Sequence, residues 1–439
     1  MGSAQSGQAG PDERVRLMAE RALVHAQRGE LAAARALYVD ILAADPTNLE
    51  AINFVAIAAL QAGDLQQSVR LLRQGVTAHP GDPGLHKNLG LAYRAGGDAE
   101  AALAAFAEAI RLKPDFVVAL LNQGALLLEL GREGEALRAY IQGFNAAEKT
   151  GQFLNLSSIP PGIRVLAEKG FTALREARLA AFHAALAPVA LEHGAAALTR
   201  VWQCLHAYLG MQPEVELPTL QRPTFMRFPG LDNRAWFERE EFPWMQDLER
   251  HTTEIREELL TVLAADVGFR PFIQVPTAHP GAAYWRQLND SPSWNAFFFY
   301  RDGERNADNH ARCPATSAAL DAAPLVRVAE HSPETFFSVL KPGAHIPPHT
   351  GVVNIRLVVH LPLIVPPDCG IRVGKETRGW EEGKCVVFDD TFEHEAWNKS
   401  SQTRVMLICD IWNPYLTAAE RDGMRVAIEA LGRFNRSYS

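Results

Sequence analysis

The stretch "HIPPHTG", His345 to Gly351, places two histidines four residues apart, a spacing that on a helix would let both imidazoles hold one metal ion. Pro347 and Pro348 between them forbid that helix: they remove amide donors and keep the chain extended. At about 3.3 Å per residue the two side chains then stand roughly 12 Å apart, too far to share an ion bound at about 2 Å. A partner for either must come from elsewhere, and His360 and His394 are the candidates in this region. His394, in "DDTFEHEAW", follows an apolar strand and projects from a strand or its edge into the same interior. The alternative for any one such histidine is a hydrogen-bonded core residue. No Ser-His-Asp arrangement stands out, and the five cysteines show no CxxC spacing, which suggests neither a disulfide framework nor a thiolate zinc site.

These residues must be held by strands. "ETFFSVL" (334–340), "NIRLVVHLPLIV" (354–365), "CGIRVG" (369–374), "KCVVFDD" (384–390) and "RVMLICDIW" (404–412) are short β-rich runs broken by Gly and Pro, as in an antiparallel sandwich or barrel. One helix, "WMQDLERHTTEIREELLTVLAA", precedes them, so this part is of mixed α+β type.

The first 145 residues are of another kind. Pro46, Pro80 and Pro114 recur every 34 residues, as do Gly29, Gly63, Gly97 and Gly131, the period of tetratricopeptide (TPR) repeats. Leu89, Gly90, Tyr93, Ala102, Phe106, Ala109 and Pro114 alternate small and large so that two antiparallel helices interlock. About four units over 15–150 form an all-α solenoid with a concave groove, either a spacer or dimerisation element or an arm that binds a peptide. A helical extension or linker over 151–211 lacks the period, and the Pro- and aromatic-rich chain from 212 opens the last domain, 212–439.

With 439 residues, 47% apolar and 21% charged, the chain has room for two or three globular domains. A formal charge of −8 disfavours nucleic acid as a partner. No apolar run suits an integral membrane segment, and the opening residues resemble no leader, so a cytoplasmic location is expected. Residues 1–14 read as a flexible polar tail, although "MGSAQS" also fits an acylation pattern at Gly2.

Over about 222–415 the chain resembles the aspartyl/asparaginyl β-hydroxylase family of Fe(II)- and 2-oxoglutarate-dependent dioxygenases. The resemblance rests on "FSVLKPGAHIPPHTGVVNIRLVVHL", "WEEGKCVVFDDTFEHEAWN" and "RVMLICDIWNP". It implies a double-stranded β-helix, a cupin-like jelly roll, with His349 and His394 as the iron ligands. Gly351 stands where wider relatives carry a third, carboxylate ligand. It further implies that 2-oxoglutarate and O2 complete the metal's sphere, with Arg404 and Ser338 on the far carboxylate and His360 at the end near the metal. No catalytic side chain beyond the metal centre is required. Animal-type members carry a second cosubstrate arginine where this chain has Val358. Arg356 and Asp390 match positions that contact the substrate, although Asp390 could equally cap the turn before Thr391. The expected reaction is hydroxylation of an unactivated carbon, first of all the β-carbon of Asp or Asn in a peptide or protein selected by the repeats. Alternatives are a lipid acyl chain or small amino-acid compound, and a non-catalytic scaffold.

Overall fold

The computed structural model describes residues 11–151, 159–214, 216–276 and 283–438. Gly2 and most of the expected 1–14 tail lie outside the described residues. By internal packing the chain forms two compact units, residues 1–177 with 435–439, and residues 178–434.

Four helix pairs open the first: α1 (Pro11–Gln27) and α2 (Leu31–Ala44), α3 (Leu49–Gln61) and α4 (Leu65–Ala78), α5 (Pro83–Ala95) and α6 (Ala99–Leu112), α7 (Val117–Glu129) and α8 (Glu133–Lys149). The 34-residue glycines are the turns inside each pair. Gly29, Gly63, Gly97 and Gly131 have φ of 72–80°, the left-handed conformation that closes a helix and that residues with a Cβ resist. Asp64 and Asp98 then cap the following helices, their side chains accepting from the Gln67 and Ala101 amides. The small-large alternation is steric, because a Cβ at Gly90 would come within 2.6 Å of the Phe106 ring.

Between the repeats and the strands run α9 (Pro161–His193) and α10 (Thr199–Tyr208). The division into units falls inside α9, between residues 177 and 178, within the segment 151–211 that the sequence sets apart as an extension or linker. The reason is packing: Phe182, Leu198 and Val201 share one buried cluster with Phe228, Ile355 and Met424.

The second unit continues with β1 (Trp236–Phe237), α11 (Met245–Arg250), α12 (Thr252–Ala265), β2 (Phe269–Pro271), β3 (Trp294–Arg301), β4 (Glu304–Arg305), α13 (Ala307–Arg312) and α14 (Pro314–Ala322). After these come β5 (Thr335–Leu340), β6 (His345–His349), β7 (Arg356–Ile364), β8 (Cys369–Val373), β9 (Glu376–Arg378), β10 (Val386–Phe388), β11 (His394–Asn398), β12 (Arg404–Trp412) and α15 (Ala418–Tyr438). The single helix read from the sequence is broken at His251 into α11 and α12. All five expected strands form, joined by β1, β2, β3, β4, β6, β9 and β11, which sequence reasoning did not delimit.

The strands build two antiparallel sheets. The larger runs β1-β10-β7-β12-β5-β3-β2 with β4 beside β3, and the smaller runs β6-β11-β8-β9. Residue parity along the larger sheet decides what each face does. Leu357, Val359 and Leu361 of β7 and Leu407 and Cys409 of β12 point to a core shared with Ile255 and Leu259 of α12. Val358, Met406 and Ile408, one step out of phase, point the other way and meet Ile346, Ile371 and Ala396 of the smaller sheet. The even-numbered residues of β5, β7 and β12 therefore face the space between the sheets. Among the described residues no helix is long and apolar enough to cross a membrane.

Candidate active site

A cavity of about 160 Å³ opens on that inner face. The parity rule brings Ser338 of β5, Arg356, Val358 and His360 of β7 and Arg404 and Asp410 of β12 to its wall, and the smaller sheet supplies His349 and His394. All seven residues singled out in the sequence thus line one space.

His349 and His394 are direct cross-strand partners in the β6–β11 ladder, with ring centroids 4.1 Å apart. The ladder also separates His349 from His345. Between the pairs His394–His349 and Ala396–Ile346 the register slips, so that β6 carries one residue more than β11, and the extra residue falls in the Pro347–Pro348 stretch. A bulge is where a strand tolerates proline, and it turns one end of the strand over relative to the other. His345 consequently faces out, its Nε2 2.8 Å from Glu395, which also accepts from Arg372 at 2.6 Å.

The imidazole tautomers follow from their neighbours. His349 Nδ1 lies 2.8 Å from the Pro347 carbonyl and His394 Nδ1 lies 2.9 Å from that of Phe392. A carbonyl only accepts, so both Nδ1 atoms donate and each Nε2 keeps its lone pair for a metal. Burial, reinforced for His349 by its neighbour His394, pushes the His349 pKa down to about 3; burial holds His394 at about 4. Two neutral imidazoles with fixed tautomers form a ready pair of metal ligands.

Among the described residues no group of three His, Cys, Asp or Glu is arranged to hold a metal. A Cβ on Gly351 would collide with the Asp390 carboxyl, and the Gly351 amide donates to the Asp390 carbonyl at 2.6 Å. Asp390 thus fills the place a carboxylate at 351 would need. The turn at Thr391 is capped by Asp389, which accepts from the Thr391 amide and hydroxyl at 2.9 and 2.5 Å, so Asp390 is not spent there.

Deeper in, Arg404 is 1% exposed, and among the described residues no carboxylate lies within ion-pair distance of it. Its Nη2 approaches the Ser338 hydroxyl at 3.5 Å, its guanidinium lies 5.2 Å from the Trp380 ring, and its Nε is buried without a partner. Burial lowers its pKa to about 10. His360, packed between Trp380 and Phe388, has an unpartnered buried Nδ1. A desolvated cation beside a hydroxyl is poor engineering for a ligand-free protein and sound engineering for an anion site. Val358 leaves Arg356 and Arg404 as the cations lining the cavity.

Arg356 is engaged on its other side. Its Nη1 donates to Asp410 at 2.7 Å, and its Nη2 stands 3.9 Å from Asp390. Glu334 borders the same group, burial raising its pKa to about 7. Sequence reasoning missed Glu334, Asp410, Trp294 and Trp380. The parity of β12 was signal enough for Asp410, whereas Trp380 sits outside the strands.

The model of the aspartyl/asparaginyl beta-hydroxylase family matches residues 249–414, and that of the tetratricopeptide repeat matches 19–83, 55–116 and 87–147. The human aspartyl/asparaginyl beta-hydroxylase is 27% identical over 367 residues, covering 82% of this chain and 42% of that protein. An ornithine lipid ester-linked acyl 2-hydroxylase of Rhizobium tropici is 33% identical over 197 residues, 44% of this chain and 66% of its own length. Human aspartate beta-hydroxylase domain-containing protein 2 is 30% identical over 212 residues, 47% and 55% of the two chains. The chain thus spans about two fifths of the length of the human and mouse hydroxylases it matches. Residues 249–414 thus resemble the aspartyl/asparaginyl β-hydroxylase family and stand behind an array of tetratricopeptide repeats.

Proposed function

We propose that residues 212–439 form an Fe(II)- and 2-oxoglutarate-dependent dioxygenase that hydroxylates an unactivated carbon. The observation that carries the reading is Arg404, a guanidinium 1% exposed, lacking a carboxylate partner among the described residues, and lining the same cavity as two neutral imidazoles. A dicarboxylate supplies the missing anion: one end takes Arg404 and Ser338, and the other lies toward His360 and the metal-binding pair. The strand order supports the same reading. The orders β5-β12-β7-β10 and β6-β11-β8-β9 suit the two four-stranded halves of a double-stranded β-helix.

His349 and His394, together with 2-oxoglutarate, would hold Fe(II), which with O2 would supply the oxidising power to insert oxygen into a C–H bond, with succinate and CO2 as coproducts. The chain's own residues hold and shield. Backbone carbonyls engage Nδ1 of both imidazoles, which would leave each Nε2 for the metal, and Asp390 keeps a third side chain away at 351. Phe336, Phe388 and Ile408 keep the surroundings apolar. None of these roles needs a nucleophile or a proton relay.

The target we infer is the β-carbon of Asp or Asn in a peptide or protein chosen by the repeats. Tyr38, Asn53 and Phe54 border a groove of about 650 Å³ in the repeat unit, which supports a peptide-binding role there. A second reading, hydroxylation of a lipid acyl chain, is favoured by the 33% identity to the Rhizobium acyl hydroxylase. Succinate released from 2-oxoglutarate by the purified chain with Fe(II), O2 and ascorbate tests the class. Iron-dependent succinate that vanishes in His394→Ala supports a dioxygenase, and none from the wild type leaves a scaffold.

A further inference from the structure

A second cavity stands against the first. It measures about 240 Å³, where the metal-side cavity measures about 160 Å³, and Glu334 and Arg356 line both. Ser332 lines the second but not the first, and its hydroxyl lies 3.4 Å from Arg356 Nη1, so polar groups of the two walls touch there. The rest of the second wall is mainly apolar. Val326, Val328, Val353, Ile355 and Ile428 belong to the buried cluster that also holds Val201 of α10 and Met424 of α15. A wall that is part of a packed core resists collapse onto the space beside it. Val352 is the exception: it is 42% exposed, it stands three residues past His349, and its carbonyl accepts from the Phe225 amide at 2.9 Å. The apolar space is therefore open to solvent on the side where the chain leaves the metal-binding pair.

Apolar walls that face an unfilled space forgo the dispersion contacts a guest would make, and a guest that fills it is drawn from water as well. The volume has room for about eight water-sized groups at about 30 Å³ each, which matches one leucine or phenylalanine side chain and falls short of a long acyl chain. Burial raises the pKa of Glu334 to about 7, so near neutral pH the divide between the cavities carries part of its acid uncharged, which suits an apolar neighbour.

We propose that this second cavity is a subsite for the apolar side chain of a substrate residue next to the one held in the metal-side cavity. That the guest is a peptide rests on the hydroxylase reading; its size and apolar character are set by the walls. Glu334 and Arg356 form the divide between the two positions, and the valines select the neighbour.

The full chain with Fe(II) and 2-oxoglutarate, kept anaerobic so that nothing turns over, is titrated calorimetrically with capped tripeptides that carry Asp or Asn in the centre and Ala or Leu on either side. Leucine on one of the two sides should tighten binding at least about tenfold over alanine on both, through the added buried carbon groups. Val328→Phe fills the space and should erase that gain while leaving the Kd of the alanine peptide unchanged. If Val328→Phe fails to fold, Val352→Asp at the exposed rim should erase it too, by setting a charge against the apolar guest. No gain from leucine on either side, a gain that survives in the folded variants, or a gain shown by an N-octanoyl probe and by no leucine peptide overturns the proposal. Succinate formed once O2 is admitted reports separately on the dioxygenase reading: a leucine gain without succinate keeps the subsite and removes that reading.

Discussion

Arg404→Met separates the two consequences of a buried unpaired cation. Methionine is similar in reach and apolar, so it keeps the packing against Trp380 and removes the charge. Two charge-assisted hydrogen bonds to a carboxylate, at about 1.5–3 kcal/mol each, are lost, which lowers 2-oxoglutarate affinity by about 10²- to 10⁴-fold. In the ligand-free protein the sign reverses. A buried cation without an anion carries a desolvation penalty of several kcal/mol, and Met relieves it, so the variant should melt no lower than the wild type. Differential scanning with and without cosubstrate reads both effects on the full chain, with Fe(II) held anaerobically. Ligand at about 100 times Kd stabilises the wild type by about 2.7 kcal/mol. For a unit of this size that is a rise of about 5–10 °C, and the variant should show none. A variant that keeps the 2-oxoglutarate-dependent rise refutes the role of Arg404. So does a ligand-free variant destabilised by about 3–5 kcal/mol, the signature of breaking a buried ion pair.

Restoring a carboxylate by Gly351→Asp should not strengthen metal binding, because Asp390 occupies that space; the double variant Gly351→Asp with Asp390→Gly should, and calorimetric metal titration compares the two. Acid sensitivity should trace to the histidines. Their folded-state pKa values, about 3 and 4, lie below the usual 6.5, so between about pH 6.5 and 4 the unfolded chain binds more protons and stability falls as pH falls. His394→Gln should flatten the dependence of the urea midpoint in this window by up to about 1.4 kcal/mol per pH unit. In the repeats, Gly90→Ala should cost about 1–3 kcal/mol by overpacking, with Phe106→Leu recovering part of it in a double-mutant cycle followed by thermal melting.

Much of the site could be read before any coordinates because the chemistry sits on strands. Ser338, Arg356, His360 and Arg404 stand in apolar alternating runs, so their shared face follows from parity alone. The prolines of 345–351 already said that His345 and His349 do not cooperate; what they could not say is that a bulge there sets the two histidines facing opposite ways. The collision that keeps 351 a glycine joins residues 39 positions apart and has no local signature. The packing of the helical extension is hidden for a related reason. Its composition resembles the repeats, but Phe182 and Val201 find their partners beyond residue 220, and only tertiary packing assigns them to the second unit. The repeats were legible throughout, because their turns and caps recur with the chain itself.

Fe(II) affinity measured anaerobically with and without 2-oxoglutarate bears most directly on the metal site. Two imidazoles without a carboxylate should hold iron weakly alone and at least tenfold more tightly once the cosubstrate is present. His349→Ala and His394→Ala should each abolish that gain, while His345→Ala keeps it. Tight iron binding that ignores 2-oxoglutarate, or a gain that survives loss of His349 or His394, would contradict the assignment.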